Sequence, residues 1–259
     1  MNDAIEIRDQ DGVRVLRINR PEKKNALTHA MYADLAAGLL EVQARADLRV
    51  ALITGSGEIF TAGNDMMDFA ARPPKMTNTA EPPPVARFLN ALVEAPKPLV
   101  FAVNGLAIGI GVTMLLHGDL VYASDQAQFK MPFTDLGLAP EGASSLLLPA
   151  LVGQARASEL LLCSEQIDAA EAQRLNIVSK LFPQEAVEAE ALATAQALAA
   201  KAPAALRAAK ALLRANKTAV GQRMIEEGAV FEKLLESEEF KEAATAFMER
   251  RAPDFSKFS

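Results

Sequence analysis

The sequence is short of the residues that build disulfides and metal centres. Its 259 residues include a single cysteine, Cys163, so no disulfide can form within the chain. The two histidines, His29 and His117, lie far apart in the sequence, which argues against a histidine-rich metal centre. We therefore expect no metal or redox cofactor. Cys163 follows an apolar helical run and is predicted to be an inert core residue.

Basic charge and long apolar runs are also scarce. The formal net charge of −6 argues against a nucleic-acid-binding protein, which normally carries a basic surface. No apolar run reaches the roughly 18 residues of a membrane-spanning helix. The first segment, MNDAIEIRDQDG, lacks the apolar centre of a secretory signal. These features predict a cytoplasmic protein that binds neither nucleic acid nor membrane.

Short apolar runs alternate with helical patterns in the first part of the chain. VALI at 50–53 and LVFAV at 99–103 are typical of parallel strands buried on both faces. Apolar residues recur at helical spacing over 31–42, after the potential N-cap Thr28, and again over 85–93. The alternation predicts an α/β fold.

Two further regions differ in composition. Residues 72–84 contain five prolines and no periodic apolar pattern, which predicts a surface loop, either an inert connection or a flap over a pocket. From about residue 184 onward, helix-forming residues dominate and no strand pattern remains. Four basic residues of this region are interpreted mainly as a solvated helix face or a contact with another subunit, with a phosphate or nucleic-acid site as the alternative: Arg207, Lys210, Arg214 and Lys217.

Three segments place small residues directly after or within apolar runs. They are IFTAGNDMMDF at 59–69, VNGLAIGIGVT at 103–113 and FKMPFTDLGLAPEGASS at 129–145. Small residues leave backbone N–H groups accessible to a ligand, and two such loops side by side could form an oxyanion hole. Each segment alone is equally compatible with tight packing of a helix on a strand.

In combination, these segments resemble the crotonase (enoyl-CoA hydratase/isomerase) superfamily over nearly the whole chain. The resemblance implies a crotonase (ClpP-like) spiral of repeated β-β-α units as an acyl-CoA-binding core at 1–190. A C-terminal helical region at 191–259 would then join the chain into a homotrimer or a dimer of trimers. The matching motifs are RPEKKNAL at 20–27, FTAGND at 60–65, NGLAIGIG at 104–111, DLVYAS at 119–124, AQFKMPFTDLGLAPEGASS at 127–145, IDAAEAQRLNIVSKLFP at 167–183 and FMERRAPDF at 247–255.

The same resemblance implies roles for individual residues on an acyl-CoA thioester. The backbone N–H groups of Asn64 and Ile110 would form the oxyanion hole. Lys24 could equally be an ordinary surface lysine, and Asp65 could stabilise its own loop. The residues implied to contact CoA are Lys24, Ala26, Leu27, Ala62, Gly63 and Asp65. The residues implied to line the acyl pocket are Met66, Met114, Phe133 and Leu136.

The residues at the reaction-determining positions favour one activity. Hydratases of the superfamily carry two glutamates where this sequence has Thr113 and Phe133. Glu141 remains, at what is predicted to be the start of a helix, and matches the base of the peroxisomal-type Δ3,Δ2-enoyl-CoA isomerases. The resemblance therefore implies an isomerase. A divergent hydratase, another crotonase reaction such as acyl-CoA hydrolysis, and a non-catalytic acyl-CoA-binding homologue remain the alternatives.

Overall fold

The computed structural model describes residues 4–71, 73–75 and 81–258. The strands are β1 (Ile5–Gln10), β2 (Val13–Ile18), β3 (Val50–Gly55), β4 (Ile59–Thr61), β5 (Leu99–Val103), β6 (Leu106–Ile108), β7 (Leu120–Ser124), β8 (Gln128–Lys130), β9 (Ile167–Asp168) and β10 (Lys180–Phe182). The α-helices are α1 (His29–Ala44), α2 (Met66–Ala71), α3 (Pro84–Glu94), α4 (Ile110–Thr113), α5 (Ser144–Val152), α6 (Gln154–Leu162), α7 (Ala169–Arg174), α8 (Val187–Ala199), α9 (Pro203–Leu213), α10 (Lys217–Leu235) and α11 (Glu238–Glu249).

The chain winds as a spiral that feeds two sheets in turn. The large sheet has the order β1-β2-β3-β5-β7-β10 and is parallel except for β1, which pairs antiparallel with β2. The small sheet has the order β4-β6-β8-β9 and is parallel except for β9. The pairs β3-β4, β5-β6 and β7-β8 each contribute one strand to each sheet before the chain becomes helical. The expected α/β spiral of β-β-α units is confirmed.

The large sheet is buried on both faces, as the apolar runs predict. VALI and LVFAV form most of β3 and all of β5, and every residue of both strands is buried. Alternate residues belong to different clusters, because successive side chains of a strand point to opposite faces. In β2, Val15 packs into the cluster that includes α8, whereas Leu16 packs into the main core with α1.

The helices expected around residues 31–42 and 85–93 are α1 and α3. Thr28 caps α1, since its hydroxyl accepts a hydrogen bond from Met31 N at 3.3 Å. The proline-rich segment ends where Pro84 begins α3. Residues 72 and 76–80 of that segment lie outside the described residues, so its interpretation as a connection or a flap stays a prediction.

The C-terminal region is helical, as expected, and no strand follows β10 within the described residues. Helix α8 packs on the large sheet, so the predicted division between residues 190 and 191 falls inside a helix that contacts the core. Helices α9 to α11 continue the chain beyond it. The division into two domains and the role of the helices in oligomer formation stay predictions.

The basic residues of this region do not form one solvated face. Lys210 is buried, and its Nζ lies 2.7 Å from Asp119 Oδ2 and donates to the Lys97 carbonyl. Arg214 donates to the carbonyls of Leu116 and Gly118. The interpretation as a solvated or intersubunit face is wrong for Lys210 and Arg214, because both bind oxygen atoms of their own chain.

Two further expectations concern the surface. None of the described helices is long and apolar enough to cross a membrane. Cys163 is exposed, so its interpretation as a core residue is wrong. Helix α6 ends at Leu162, and Cys163 therefore stands at the exit of the helix rather than on its buried face.

Candidate active site

The site begins where two adjacent loops leave the small sheet. Strands β4 and β6 are parallel neighbours, with Thr61 paired to Ala107, so the loops at their carboxyl ends lie side by side. Gly63 has φ +86°, and a Cβ at this position would lie 2.9 Å from the Ile108 carbonyl oxygen. Only glycine permits this approach. The structure thus brings the FTAGND and NGLAIGIG motifs together.

Each of these loops presents one of the implied oxyanion donors. Leu27 N donates to Gly63 O and Asp65 N donates to Leu27 O, both at 2.8 Å, which leaves the intervening Asn64 N–H outside this ladder. Ile110 is the first residue of α4, where an N–H has no intrahelical acceptor. The recorded bonds of the described residues include none donated by either N–H. The Ile110 side chain is buried in the core.

Asp65 has the structural role that was the alternative to CoA binding. Its Oδ1 accepts hydrogen bonds from the backbone N–H groups of Met67 and Asp68, both at 3.1 Å. Its Oδ2 pairs with Arg20 Nη1 at 2.6 Å. Burial alone would raise the Asp65 pKa, but Arg20 and the two amides hold it below its ordinary value. Asp65 therefore fixes the loop that carries Asn64.

The Asn64 side chain is held by Tyr32, a contact that the sequence does not reveal. The wholly buried Tyr32 hydroxyl lies 2.5 Å from Asn64 Oδ1 and donates to it. Its ring packs between Phe69 and Phe88, with ring centroids 6.2 and 5.7 Å away. Burial, and then the charge of Glu141, raise the Tyr32 pKa well above its ordinary value, which keeps the phenol protonated. In the sequence, Tyr32 is indistinguishable from a core position of α1.

Glu141 stands in a turn ahead of α5 rather than in the first turn of that helix. The expected helix start at Pro140–Gly142 is wrong, because Gly142 and Ala143 have φ +68° and +59°. These left-handed conformations cannot continue into an α-helix, which begins only at Ser144. Glu141 is nonetheless buried, with 8% of its surface exposed.

The Glu141 carboxyl is adjusted by its immediate surroundings. Thr113 Oγ1 donates a hydrogen bond to Glu141 Oε1 at 2.5 Å. Burial raises the Glu141 pKa from 4.5 to about 7, the Thr113 hydroxyl opposes the rise, and the charge of Glu227 adds to it. A carboxyl with this pKa exchanges protons near neutral pH, as a general acid–base group requires. Thr113 stands at a position where the resemblance implies a glutamate in hydratases. In this chain the threonine is not an acid–base group, and its hydroxyl binds the Glu141 carboxyl instead.

His117 contacts the turn that follows Glu141. Its Nε2 lies 2.8 Å from the Gly142 carbonyl oxygen. Burial lowers the His117 pKa to about 4, so the ring is neutral at physiological pH, and Nε2 carries the proton because it faces a carbonyl. The buried, neutral His117 therefore supports the turn.

A cleft with about 430 Å³ of empty space joins Glu141 to Asn64. Its walls are otherwise largely apolar. The apolar side chains of the lining are Phe69, Pro74, Val85, Leu89, Met224 and Phe231. They come from α2, the segment that follows it, α3 and α10, so helices far apart in the sequence form the pocket.

The residues implied for the acyl pocket do not line this cleft. Met114 and Phe133 are buried in the core, while Met66 and Leu136 are partly buried and pack against it. These four residues lie within or beside the family motifs in the sequence. The helices α3 and α10, which do line the cleft, contain no such motif. The assignment of these four residues to the acyl pocket stays a prediction without support from the lining.

The residues implied for CoA binding surround the same loop. Lys24 is exposed, and its carbonyl oxygen accepts a hydrogen bond from Ala62 N at 3.0 Å. Ala26 and Ala62 are half-buried, whereas Leu27 and Gly63 are buried. Only the backbone of Leu27 and Gly63 could therefore meet a ligand, and the CoA contacts stay predictions.

No metal site is evident in the part of the chain that is described. There, no group of three or more histidine, cysteine, aspartate or glutamate side chains is arranged to hold a metal ion. Near the C-terminus, Arg251 and Lys257 both pair with Glu242, at 2.6 and 2.9 Å.

A family model described as enoyl-CoA hydratase/isomerase matches residues 8–257. The chain belongs to this family. The superfamily resemblance inferred from the motifs is therefore confirmed.

Similar proteins of the enoyl-CoA hydratase/isomerase family differ in activity. The chain is 36% identical to enoyl-CoA delta isomerase 2 of Rattus norvegicus over 83% of its own length, but it spans only 55% of that relative. It is 34% identical to 2,3-dehydroadipyl-CoA hydratase of Escherichia coli K12, over 95% of this chain and 96% of that protein. A crystal structure of an enoyl-CoA hydratase/isomerase from Pseudoalteromonas atlantica T6c superposes with TM-score 0.91 and 45% identity, covering 98% of this chain and 100% of that chain.

Proposed function

We propose that the protein is a Δ3,Δ2-enoyl-CoA isomerase with Glu141 as its single acid–base group. The observation that carries the proposal is a buried carboxyl, with a pKa raised to about 7, that shares an apolar cleft with the Asn64 loop. Shifting one double bond requires one group to remove and return a proton. Glu141 is placed to do this, whereas Thr113 and Phe133 supply no second carboxylate.

The proposed reaction moves one proton within the acyl chain. Glu141 in its carboxylate form removes a proton from C2 of a 3-enoyl-CoA, and the electrons move toward the thioester oxygen. The N–H groups of Asn64 and Ile110 bind the resulting dienolate oxygen. Such a donor contributes about 3–4 kcal/mol to transition-state stabilisation. The Glu141 carboxylic acid then returns the proton at C4, which leaves the double bond between C2 and C3.

The family relationship also supports a second candidate, hydration of a 2-enoyl-CoA. A hydratase is similar to this chain over nearly its full length. Hydration requires a water molecule to be activated and a proton to be delivered to C2, a task that two carboxylates share in the hydratases of the superfamily. Here Glu141 would have to perform both steps, which makes hydration the weaker candidate.

A substrate screen distinguishes these reactions. Purified protein is incubated with 3-enoyl-CoA and 2-enoyl-CoA thioesters of several chain lengths, and the products are separated by mass and double-bond position. Conversion of 3-enoyl-CoA to 2-enoyl-CoA, without a gain of water, is the expected result. Efficient hydration of 2-enoyl-CoA would overturn the isomerase assignment. Tight binding of thioesters without turnover would indicate a non-catalytic acyl-CoA-binding protein.

The wider biological setting is part of the same proposal. We propose a cytoplasmic homotrimer or dimer of trimers that needs no metal or redox cofactor. Large apolar side chains on the C-terminal helices support assembly, since Leu212 and Leu213 of α9 are 80% and 84% exposed in the single chain. Light scattering at micromolar concentration tests the assembly, and a stable monomer would contradict it.

A further inference from the structure

Helix α10 places a second buried carboxylate directly beneath the turn that carries Glu141. Glu227 Oε2 accepts a hydrogen bond from Ala143 N at 2.6 Å. Its Oε1 accepts hydrogen bonds from Ser145 N at 2.9 Å and from Ser145 Oγ at 2.6 Å. Glu227 is 7% exposed, so these contacts replace its hydration. One side chain from the C-terminal region thus binds both ends of the segment 143–145.

This turn needs external support. Ala143 has φ +59°, a left-handed conformation that is unfavourable for a residue with a Cβ. The N–H groups at the start of α5 also lack intrahelical acceptors, and no residue of the turn caps them with its own side chain. Glu227 supplies acceptors for two of these N–H groups, and its negative charge is favourable at a helix N-terminus.

We propose that Glu227 is a positioning residue that holds the 141–145 turn and thereby fixes the Glu141 carboxyl in the cleft. The proposal rests on the proposed function, because it assigns Glu227 a role in the reaction of Glu141. It also gives α10 two roles at one site, since Met224 and Phe231 of the same helix line the cleft. No motif of the sequence marks Glu227.

The charge of Glu227 also acts on Glu141. Among the groups packed around Glu141, the Thr113 hydroxyl from α4 lowers its pKa and Glu227 from α10 raises it. The other titratable groups nearby are Tyr32, which stays protonated, and His117, which stays neutral. Arg223 of α10 lies on the Glu227 side of the turn, where its Nη1 is 3.3 Å from Ser145 Oγ. Neutralising Glu227 should therefore make Glu141 easier to ionise.

The test is the Glu227→Gln variant. A glutamine keeps one acceptor oxygen but turns an NH₂ group toward a backbone N–H, so at least one of the two N–H bonds is lost. For the reaction that Glu141 catalyses, we expect kcat to fall about tenfold, with KM changed less than about threefold. The acid limb of the pH profile should move to lower pH, and the amides of Ala143 and Ser145 should exchange hydrogen faster.

Two further variants keep the test decisive. Glu236→Gln removes an exposed carboxylate at the end of the same helix and should leave the rate, the pH profile and the exchange unchanged. Ser145→Ala removes the hydroxyl contacts with Glu227 and Arg223 but keeps both backbone N–H bonds to Glu227, and it should produce the same changes on a smaller scale. If Glu227→Gln does not fold, Ser145→Ala carries the test.

A folded Glu227→Gln protein with unchanged kcat, pH profile and amide exchange would overturn the proposal. A lower kcat with an unmoved acid limb and unchanged exchange at Ala143 and Ser145 would also overturn it, because the loss would not pass through the turn. The exchange measurement needs no substrate. It therefore remains informative even if Glu141→Gln keeps full activity, a result that would contradict the proposed function alone.

Discussion

Two clefts are both lined by residues of helix α10, but they differ in how their charged side chains are paired. In the first, no ion pair joins Glu141 to any of the described residues, and its closest polar partner is the Thr113 hydroxyl. The second cleft is lined by three cations, and each of them faces a carboxylate of the same chain. Their shortest pairs are Lys210–Asp119 at 2.7 Å, Arg214–Asp119 at 3.6 Å and Lys217–Glu94 at 3.8 Å.

The difference distinguishes charged side chains that are paired within the fold, such as Lys210, from the Glu141 carboxyl, for which we propose a catalytic role. Burial lowers the Lys210 pKa, but Asp119 opposes that effect and the pair joins α9 to the start of β7. Burial raises the Glu141 pKa to about 7, and no cation restores it. A buried carboxyl without an ion pair adds little to stability. Its presence in an apolar cleft is therefore better explained by a role in proton transfer than by a role in packing.

The largest expected effect is that of Glu141→Gln. The substitution keeps the shape of the side chain but removes the base, so kcat should fall by about 10²–10⁴, the usual contribution of a general acid–base group. Thioester binding should change little, because the proposed oxyanion donors are backbone groups. Glu190→Gln, an exposed carboxylate on α8, is the matched control and should retain full activity. Steady-state kinetics on the 3-enoyl-CoA substrate measure both.

The pH dependence of the wild type is part of this prediction. Glu141 must be ionised to remove a proton, and its pKa is raised, so activity should be lost as the pH falls through about 7. Near-full activity of Glu141→Gln, or a rate that stays constant from pH 8 down to pH 5, would show that another group is the base.

The next effect concerns stability and tests the ion pairs of the second cleft. Lys210→Met should lower the free energy of unfolding by about 3 kcal/mol, because it removes the nearer of the two cations that pair with Asp119 and leaves the more distant Arg214 and the Leu99 N–H. The kcat should be unchanged. Lys217→Met, whose ion pair is largely exposed, should lower stability by less than about 1 kcal/mol. Urea unfolding measures both, and equal losses would contradict the distinction between the buried pair and the exposed pair.

The sequence predicts the secondary structure and the fold class better than it predicts contacts between distant segments. The runs VALI and LVFAV report burial on both faces because every position of a parallel strand between two layers is apolar. Thr28 predicts the start of α1 because its side chain caps a backbone N–H only three residues away. Such local rules identify the strands, the helices α1 and α3, and the Gly-rich loops.

Contacts between distant segments leave no local signal. Lys210 and Arg214 have the pattern of a solvated face, yet Asp119 and backbone carbonyls from other elements surround them. Tyr32 and Glu227 are an ordinary core tyrosine and an ordinary helix glutamate until the fold places them beside Asn64 and Ala143. Glu141 itself was found only through the family resemblance, since its position alone suggested a helix-capping charge.

A smaller effect is expected when the support of the oxyanion loop is removed. Tyr32→Phe deletes the hydroxyl that holds Asn64 Oδ1 but keeps the ring between its aromatic neighbours. The Asn64 N–H should then be less well placed, and kcat should fall about tenfold, less than the loss of a whole oxyanion donor. Tyr122→Phe is the control, because its hydroxyl contacts Thr194 instead. Similar rates for the two variants would remove Tyr32 from the positioning machinery.

The smallest effect should come from Thr113→Val, which alters the carboxyl without removing it. The Thr113 hydroxyl stabilises ionised Glu141, so its loss should raise the Glu141 pKa further and move the acid limb of the profile to higher pH. A net hydrogen-bond contribution of about 1 kcal/mol corresponds to a roughly threefold lower rate at pH 7 and a roughly fivefold lower rate well below the pKa. The rate well above the new pKa should approach that of the wild type. Thr113→Ser keeps the hydroxyl and should keep the original profile. A shift of the acid limb toward lower pH in Thr113→Val would contradict this prediction, because it would show that the Thr113 hydroxyl favours the protonated form of Glu141 rather than the ionised form.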